Sequence, residues 1–262
     1  MEELQIRFDD GAEYEQFMGV WSQLAGDTFL DWVAPAAGLR WVDVGCGNGA
    51  FTETLIQLCA AAEVQGIDPS EAQLAFARTR FADGVAQFQQ GDAMALPFAD
   101  AAFDAAAMAL VLFFVPEPAR GVAEMVRVVR PGGTVCAYVW DMHGGGFPIA
   151  ALHQEMAALG TQPLWPPSVE ASRIEALRSL WTGAGLVQVE TRQIEVQRSF
   201  PDFDTFWKIA LTGPGINVKL AAMALDDVAV LKERLQARLV PDAEGRIACA
   251  ARANAVKGRV PG

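Results

Sequence analysis

Basic residues are scarce in this 262-residue chain: 20 Lys and Arg stand against 32 Asp and Glu, giving a net charge of −12. Affinity for nucleic acid depends on clustered Lys and Arg, and no basic stretch interrupts the acidic background, so no polynucleotide partner is expected. Cysteine is nearly as sparse. Cys46, Cys59, Cys136 and Cys249 show no CxxC or His-paired spacing, which argues for a reducing cytoplasm and against a structural zinc site; no metal is expected. No apolar run reaches the length of a membrane span, and Met1-Glu2-Glu3 lacks the basic start of a signal peptide. Only two histidines are present, His143 and His153, so imidazole bases are few. What the chain has is apolar mass. Hydrophobic residues make up 52%, enough for the core of one large α/β domain with insertions or a lid. No internal repeat, low-complexity stretch or inter-domain linker is visible.

The organising stretch is Trp41-Val-Asp-Val-Gly-Cys-Gly-Asn-Gly-Ala-Phe51. Arg40 to Val44 is an apolar run suited to one buried strand. Gly45, Gly47 and Gly49 follow at alternate positions, and from Phe51 the apolar residues Phe51, Leu55, Leu58 and Cys59 recur at helical spacing. The reading is strand, tight turn, helix, with the backbone free to approach a ligand and unpaired N–H groups at the helix start. Gly45-Cys46-Gly47-Asn48-Gly49-Ala50 formally fits the dinucleotide pattern G-x-G-x-x-G/A, a weak signal alone. Asp43 is more telling. A carboxylate two residues before the first glycine repels a pyrophosphate and helps a cationic ligand, such as a sulfonium carrying an ammonium group. Cys46, at a helix N-terminus, has either a lowered pKa or the plainer role of a small residue in a crowded turn.

Three further units follow. Val64–Asp68 is a short strand ending in a carboxylate, followed by Pro69 and a capping box at Ser70–Gln73 that starts the next helix. In a doubly wound sheet the tip of the second strand lies beside the first turn, where an acid such as Asp68 accepts from both ribose hydroxyls. Ala86–Gln90 leads into Gly91-Asp92-Ala93-Met94. Phe103–Leu110 is nearly all apolar and so buried on both faces. A helix bearing Val122, Met125, Val126 and Val129 then stops at Arg130-Pro-Gly-Gly133, before a fifth strand to Trp140.

In this order the motifs resemble those of class I S-adenosylmethionine-dependent methyltransferases, in the small-molecule branch of type 11 and ubiquinone-biosynthesis-like enzymes. The resemblance covers about residues 39–141. It implies a Rossmann-like α/β fold: a seven-stranded, mostly parallel sheet with the last strand antiparallel, helices on both faces, and helical lid insertions. It implies S-adenosylmethionine as cofactor and S-adenosylhomocysteine as product, bound by Asp43, Gly45, Cys46, Gly47, Asn48, Gly49, Asp68 and Pro69. Asp92 would accept from the adenine amino group, with the Ala93 backbone and Met94 beside the purine and Met108 near the strand end. Tyr14 and Trp21 are N-terminal candidates for the same site. The chain departs from the family twice: Val20 stands where relatives carry an Arg, and Phe113 where many carry a His after the fourth strand.

The whole chain reads as a single methyltransferase domain. Residues 1–38 form a helical cover, 39–141 the cofactor core, 142–185 and 201–240 a substrate lid, and 186–200 and 246–258 the C-terminal strands. Asp141 to Gly146 reads as a flexible loop. His143 within it is the candidate base, because loops at the carboxyl ends of parallel strands bind ligands and a His near pKa 6.5 can take a proton at neutral pH. His153 reads as a helix residue. The expected acceptor is small and apolar, aromatic or weakly polar. Two other classes stay open: a catalytically idle S-adenosylmethionine-binding sensor or partner, and a nicotinamide-dependent oxidoreductase.

Overall fold

The computed structural model describes residues 15–81, 84–213 and 215–262; Tyr14 lies outside them. A π-helical turn at Glu15–Gly19 leads into α1 (Val20–Val33). The core then alternates β1 (Arg40–Val44), α2 (Ala50–Cys59), β2 (Glu63–Asp68), α3 (Glu71–Arg80), β3 (Ala86–Gln90), β4 (Phe103–Ala109), α4 (Pro118–Val128) and β5 (Val129–Trp140). Beyond it come α5 (Ala150–Ala158), α6 (Ile174–Gly183), β6 (Val187–Phe200), α7 (Phe203–Ala210), α8 (Ile216–Ala221), α9 (Leu225–Arg238) and β7 (Ile247–Arg259).

The seven strands form one sheet in the order β3-β2-β1-β4-β5-β7-β6. Strands β1 to β5 are parallel, and β7 runs antiparallel to both β5 and β6. Strand order reverses between β1 and β4, and at the carboxyl ends beside such a reversal an open α/β sheet leaves a crevice. The expected fold is observed, with two local differences. Arg130–Gly133 does not end as a free turn but is continuous with β5, where its irregular register against β4 absorbs the glycines. The sixth strand is one long ribbon from Val187, with a register shift between Val187 and Glu190, where Gln188 takes a φ of 52°.

Small strand residues make room for large helical ones. Ala105, Ala106 and Ala107 in β4 and Ala253 and Ala255 in β7 are fully buried. On one face Phe29 of α1 packs on Tyr138 of β5, ring centroids 4.7 Å apart, with Phe51 of α2 at 5.8 Å from Tyr138. Near β7, Trp181 of α6 is wholly buried against Gly258 and donates its indole N–H to the Val135 carbonyl at 2.9 Å, so the buried indole donor is paired. These layers hold the carboxyl ends of β1, β2, β4 and β5 in fixed relation.

Candidate functional site

At those strand ends lies a cavity of about 970 Å³, near the upper end of the size range of ligand pockets and roomy for two reactants. One end is built by the turn after β1. Gly45, Gly47 and Gly49 all take positive φ, 77°, 51° and 82°, where side chains are strained. They serve different contacts. A Cβ on Gly45 would stand 2.4 Å from Val111, so here the turn after β1 presses directly on the segment after β4. A Cβ on Gly47 would meet nothing nearer than Gln73 Oε1 at 3.9 Å, because Gly47 faces the open cavity.

Asp68 locks this turn to the tip of β2. Its Oδ2 accepts from the Gly47 N–H at 2.9 Å and its Oδ1 from the Ser70 N–H at 2.8 Å. Gly45 and Cys46 both donate to the Ile67 carbonyl. Asp68 lines the cavity with Pro69 and Ser70. Burial raises its pKa, against the two backbone hydrogen bonds. Carboxylate oxygens can accept more than one bond each, so both remain open to hydroxyls in the cavity.

Asp43 lies beneath the turn, fully buried. The Thr52 hydroxyl donates to its Oδ2 at 2.6 Å, and among the described residues its Oδ1 has no partner. Burial pushes its pKa up to about 7; the Thr52 bond opposes this and the Asp68 charge adds to it. A buried, half-satisfied carboxylate is costly and calls for an explanation. Cys46 is buried too, and desolvation, with Asp43 and Asp68 nearby, moves its thiol well above the ordinary value. The thiol is inert filling, the plainer of its two readings.

The remaining candidates divide by position. Cys46, Asn48 and Pro69 line the cavity. Asp92 is exposed, its Oδ1 accepting from the Met94 N–H at 2.8 Å, and like Ala93 and Met94 it stands outside the cavity lining. The turn bearing Asp92 and Ala93 is tied to the β2 tip by the Gly91 N–H on the Asp68 carbonyl and by Gln90 Nε2 on the Pro69 carbonyl. Met108 is fully buried within β4, and Trp21 packs in the core near Phe200 at 6.5 Å; neither lines the cavity.

His143 also stands outside the lining, which takes Met142 and Phe147 on either side of it. Its ring stacks near Trp165, and its Nε2 lies 2.9 Å from Glu170. The other histidine faces inward. His153 of α5 lines the cavity, stacked on Phe147 at 5.3 Å. Burial first, then the charge of Lys219, lowers its pKa to about 4, so it is neutral at physiological pH.

The glycine-rich loop after β5 is not flexible in the way its composition suggests. Asp141 Oδ2 accepts from Arg252 Nε at 3.0 Å and Nη2 at 2.7 Å, while its Oδ1 accepts from the Gly144 N–H. Arg252 Nη2 also donates to the Gly144 carbonyl, and backbone bonds join Asp141 and Gly146 to Arg252. Glycine permits that tight wrap, and an arginine from β7 holds it. Replacing Arg252 by Met should strand the nearly buried Asp141 carboxylate. We expect a loss of about 1–3 kcal/mol, below the full buried-pair cost because Arg252 is partly solvated, together with faster hydrogen exchange across residues 141–147. Urea unfolding and exchange unchanged from wild type would show that the clamp carries nothing.

Residues 42–137 match the family model described as a methyltransferase domain. The chain is 38% identical over 103 residues to a demethylmenaquinone methyltransferase of Desulfitobacterium hafniense, covering 37% of this chain and 41% of that one. It is 27% identical over 206 residues to a ubiquinone/menaquinone biosynthesis C-methyltransferase of Roseobacter denitrificans, covering 76% and 75%. Among solved structures it is similar to phosphoethanolamine N-methyltransferase 2 of Haemonchus contortus in complex with S-adenosyl-L-methionine. That match has a TM-score of 0.62 at 18% identity, over 97% of this chain and 58% of that one. The chain thus spans about two fifths of the length of the demethylmenaquinone methyltransferase it matches. Residues 42–137 are thus similar to a methyltransferase domain, set in a fold shared with a solved methyltransferase.

Proposed function

We propose that this protein transfers a methyl group from S-adenosylmethionine to a small-molecule acceptor. The observation that carries the reading is the buried Asp43 carboxylate, short of a partner, under a glycine turn that opens at Gly47 into the cavity. An anionic dinucleotide would meet Asp43 beneath the turn with like charge, whereas a ligand carrying sulfonium and ammonium groups meets it with opposite charge. Bound there, the cofactor supplies an already activated methyl group.

The work left to the protein is positioning and exclusion of water. Asp68 holds the ribose hydroxyls, the turn from Gly45 to Asn48 cradles the amino-acid portion, and the Asp92–Met94 turn, outside the cavity lining but tied to the β2 tip, is the candidate for the adenine edge. Segments 142–167 and 215–219, which contribute Met142, Phe147, Trp165 and Ile216 to the lining, cover the acceptor. Phe113 and its neighbour Phe114 offer no base to it, and His153, its pKa lowered to about 4, is only a weak one, so positioning carries the reaction.

Calorimetry should show S-adenosylmethionine or S-adenosylhomocysteine binding at micromolar concentration and NAD not at all. A screen of small apolar and aromatic acceptors should then release S-adenosylhomocysteine. Tighter binding of NAD would overturn the assignment, and cofactor binding without turnover on any acceptor would favour a sensor.

A further inference from the structure

The acceptor half of the cavity has a composition of its own. Its walls are apolar and aromatic, with Phe113, Phe147, Met156 and Trp165 among them. Two side chains able to carry positive charge interrupt them: His153 from α5 and Lys219 from α8. Among the described residues lining the cavity, Asp68 at the cofactor end is the one carboxylate.

Lys219 is unusual in a chain with 32 acidic residues. Its ammonium donates to the Gln162 carbonyl, and among the described residues no carboxylate lies within ion-pair distance of it. Partly buried at the cavity wall and without a counter-ion, this ammonium is open to pairing with an anion in the cavity. The imidazole of His153 is close enough to feel the Lys219 charge, and its ring is fixed by the stack on Phe147. Neutral imidazole keeps one N–H donor, so it can hydrogen-bond an oxyanion without adding a second positive charge. Together the two groups match one negative charge at the end of a flat, apolar body.

We infer that the acceptor is a small aromatic or otherwise flat apolar acid, its anionic oxygen held by the Lys219 ammonium and the His153 imidazole. The pair sets specificity and orients the acceptor, while the apolar walls take its ring. The inference rests on the methyltransferase reading for the word acceptor, and on the cavity alone for the recognition of an acid.

The test uses 2-naphthoate and its neutral counterpart 2-naphthamide, titrated by calorimetry into the full-length protein with and without saturating S-adenosylhomocysteine. The acid should bind at least tenfold tighter than the amide. Lys219→Met should bring the ratio close to one, and Lys219→Arg, which keeps the charge, should retain most of it. His153→Phe, which keeps the ring stack, should weaken the acid at least threefold and leave the amide unchanged. Equal affinity for acid and amide in the wild type, failure of the acid to bind, or a ratio untouched by Lys219→Met would each overturn the inference. Failure of the cofactor reading would show separately, as absence of S-adenosylhomocysteine binding, with the acid–amide comparison still measurable on the ligand-free protein.

Discussion

Asp43→Asn should make the ligand-free protein more stable near pH 8 and, in the same molecule, weaken S-adenosylmethionine binding at least tenfold. Burial holds the Asp43 pKa at about 7 in the folded protein, against an unfolded value near 3.9. Between those values the native state binds more protons than the unfolded one. The contribution of Asp43 to stability is therefore fully present below about pH 4 and is lost as pH rises through 7. The accumulated loss is on the order of 3–4 kcal/mol for a shift of this size. Asparagine keeps the Thr52 hydrogen bond and carries no charge, so the variant should match wild type near pH 4 and exceed it increasingly up to pH 8. Asp68 titrates with a raised pKa as well and its charge contributes to the Asp43 shift, so the difference between the two proteins includes the interaction of the pair.

Binding should move the other way. A cation over the turn favours the ionised form of Asp43, so wild-type affinity should rise between pH 6 and 8 while that of Asp43→Asn stays flatter. At about 7 Å and an effective dielectric of about 20, one charge pair is worth about 2 kcal/mol. Urea unfolding at pH 4 and 8 without ligand, and calorimetry at pH 6 and 8 with it, read both effects. Identical stability differences at the two pH values would mean that Asp43 does not pay a burial cost, and the account of the turn would fall with it.

Much of this was legible in the chain because it is local. Strand, turn and helix from Arg40 to Cys59 follow from consecutive residues, as does the Ser70 cap, whose side chain accepts from the Gln73 N–H. The sheet is equally plain where nearly every residue of a strand is apolar, as in β4. What stayed hidden depends on contacts between distant segments. Asp141-Met-His-Gly-Gly-Gly146 reads as floppy from its composition, and the hydrogen bonds that tie it down come from Arg252, 111 residues away. The position of His143 in that loop points it at the site, yet its ring turns to Trp165 and Glu170. His153 has a weakly patterned helix around it, with Leu152 and Met156 buried, and no sequence signal marks the side that faces the cavity. Lys219 could have been singled out as one of four lysines in an acidic chain, but its place at the cavity follows from how α8 folds back over the strand ends.

Asp68 is the residue whose loss should damage cofactor binding most. Its two oxygens hold the Gly47 and Ser70 N–H groups and face the cavity. Hydrogen bonds to a charged acceptor are worth about 1.5–3 kcal/mol each, so removing two ribose contacts predicts a loss of roughly 10²–10⁴ in affinity. Asp68→Ala also releases Gly47, whose φ of 51° is held in part by that bond. Turn and ribose effects must therefore be separated. Asp68→Asn keeps one acceptor oxygen and should lose less than alanine does. A 2′,3′-dideoxy analogue of S-adenosylhomocysteine isolates the ribose term, because it should bind wild type and Asp68→Asn with nearly equal affinity. If the analogue loses as much on mutation as the parent ligand, Asp68 acts only by holding the turn. If Asp68→Ala binds the parent ligand as tightly as wild type, the ribose lies elsewhere and the orientation of the cofactor in this cavity has to be reversed.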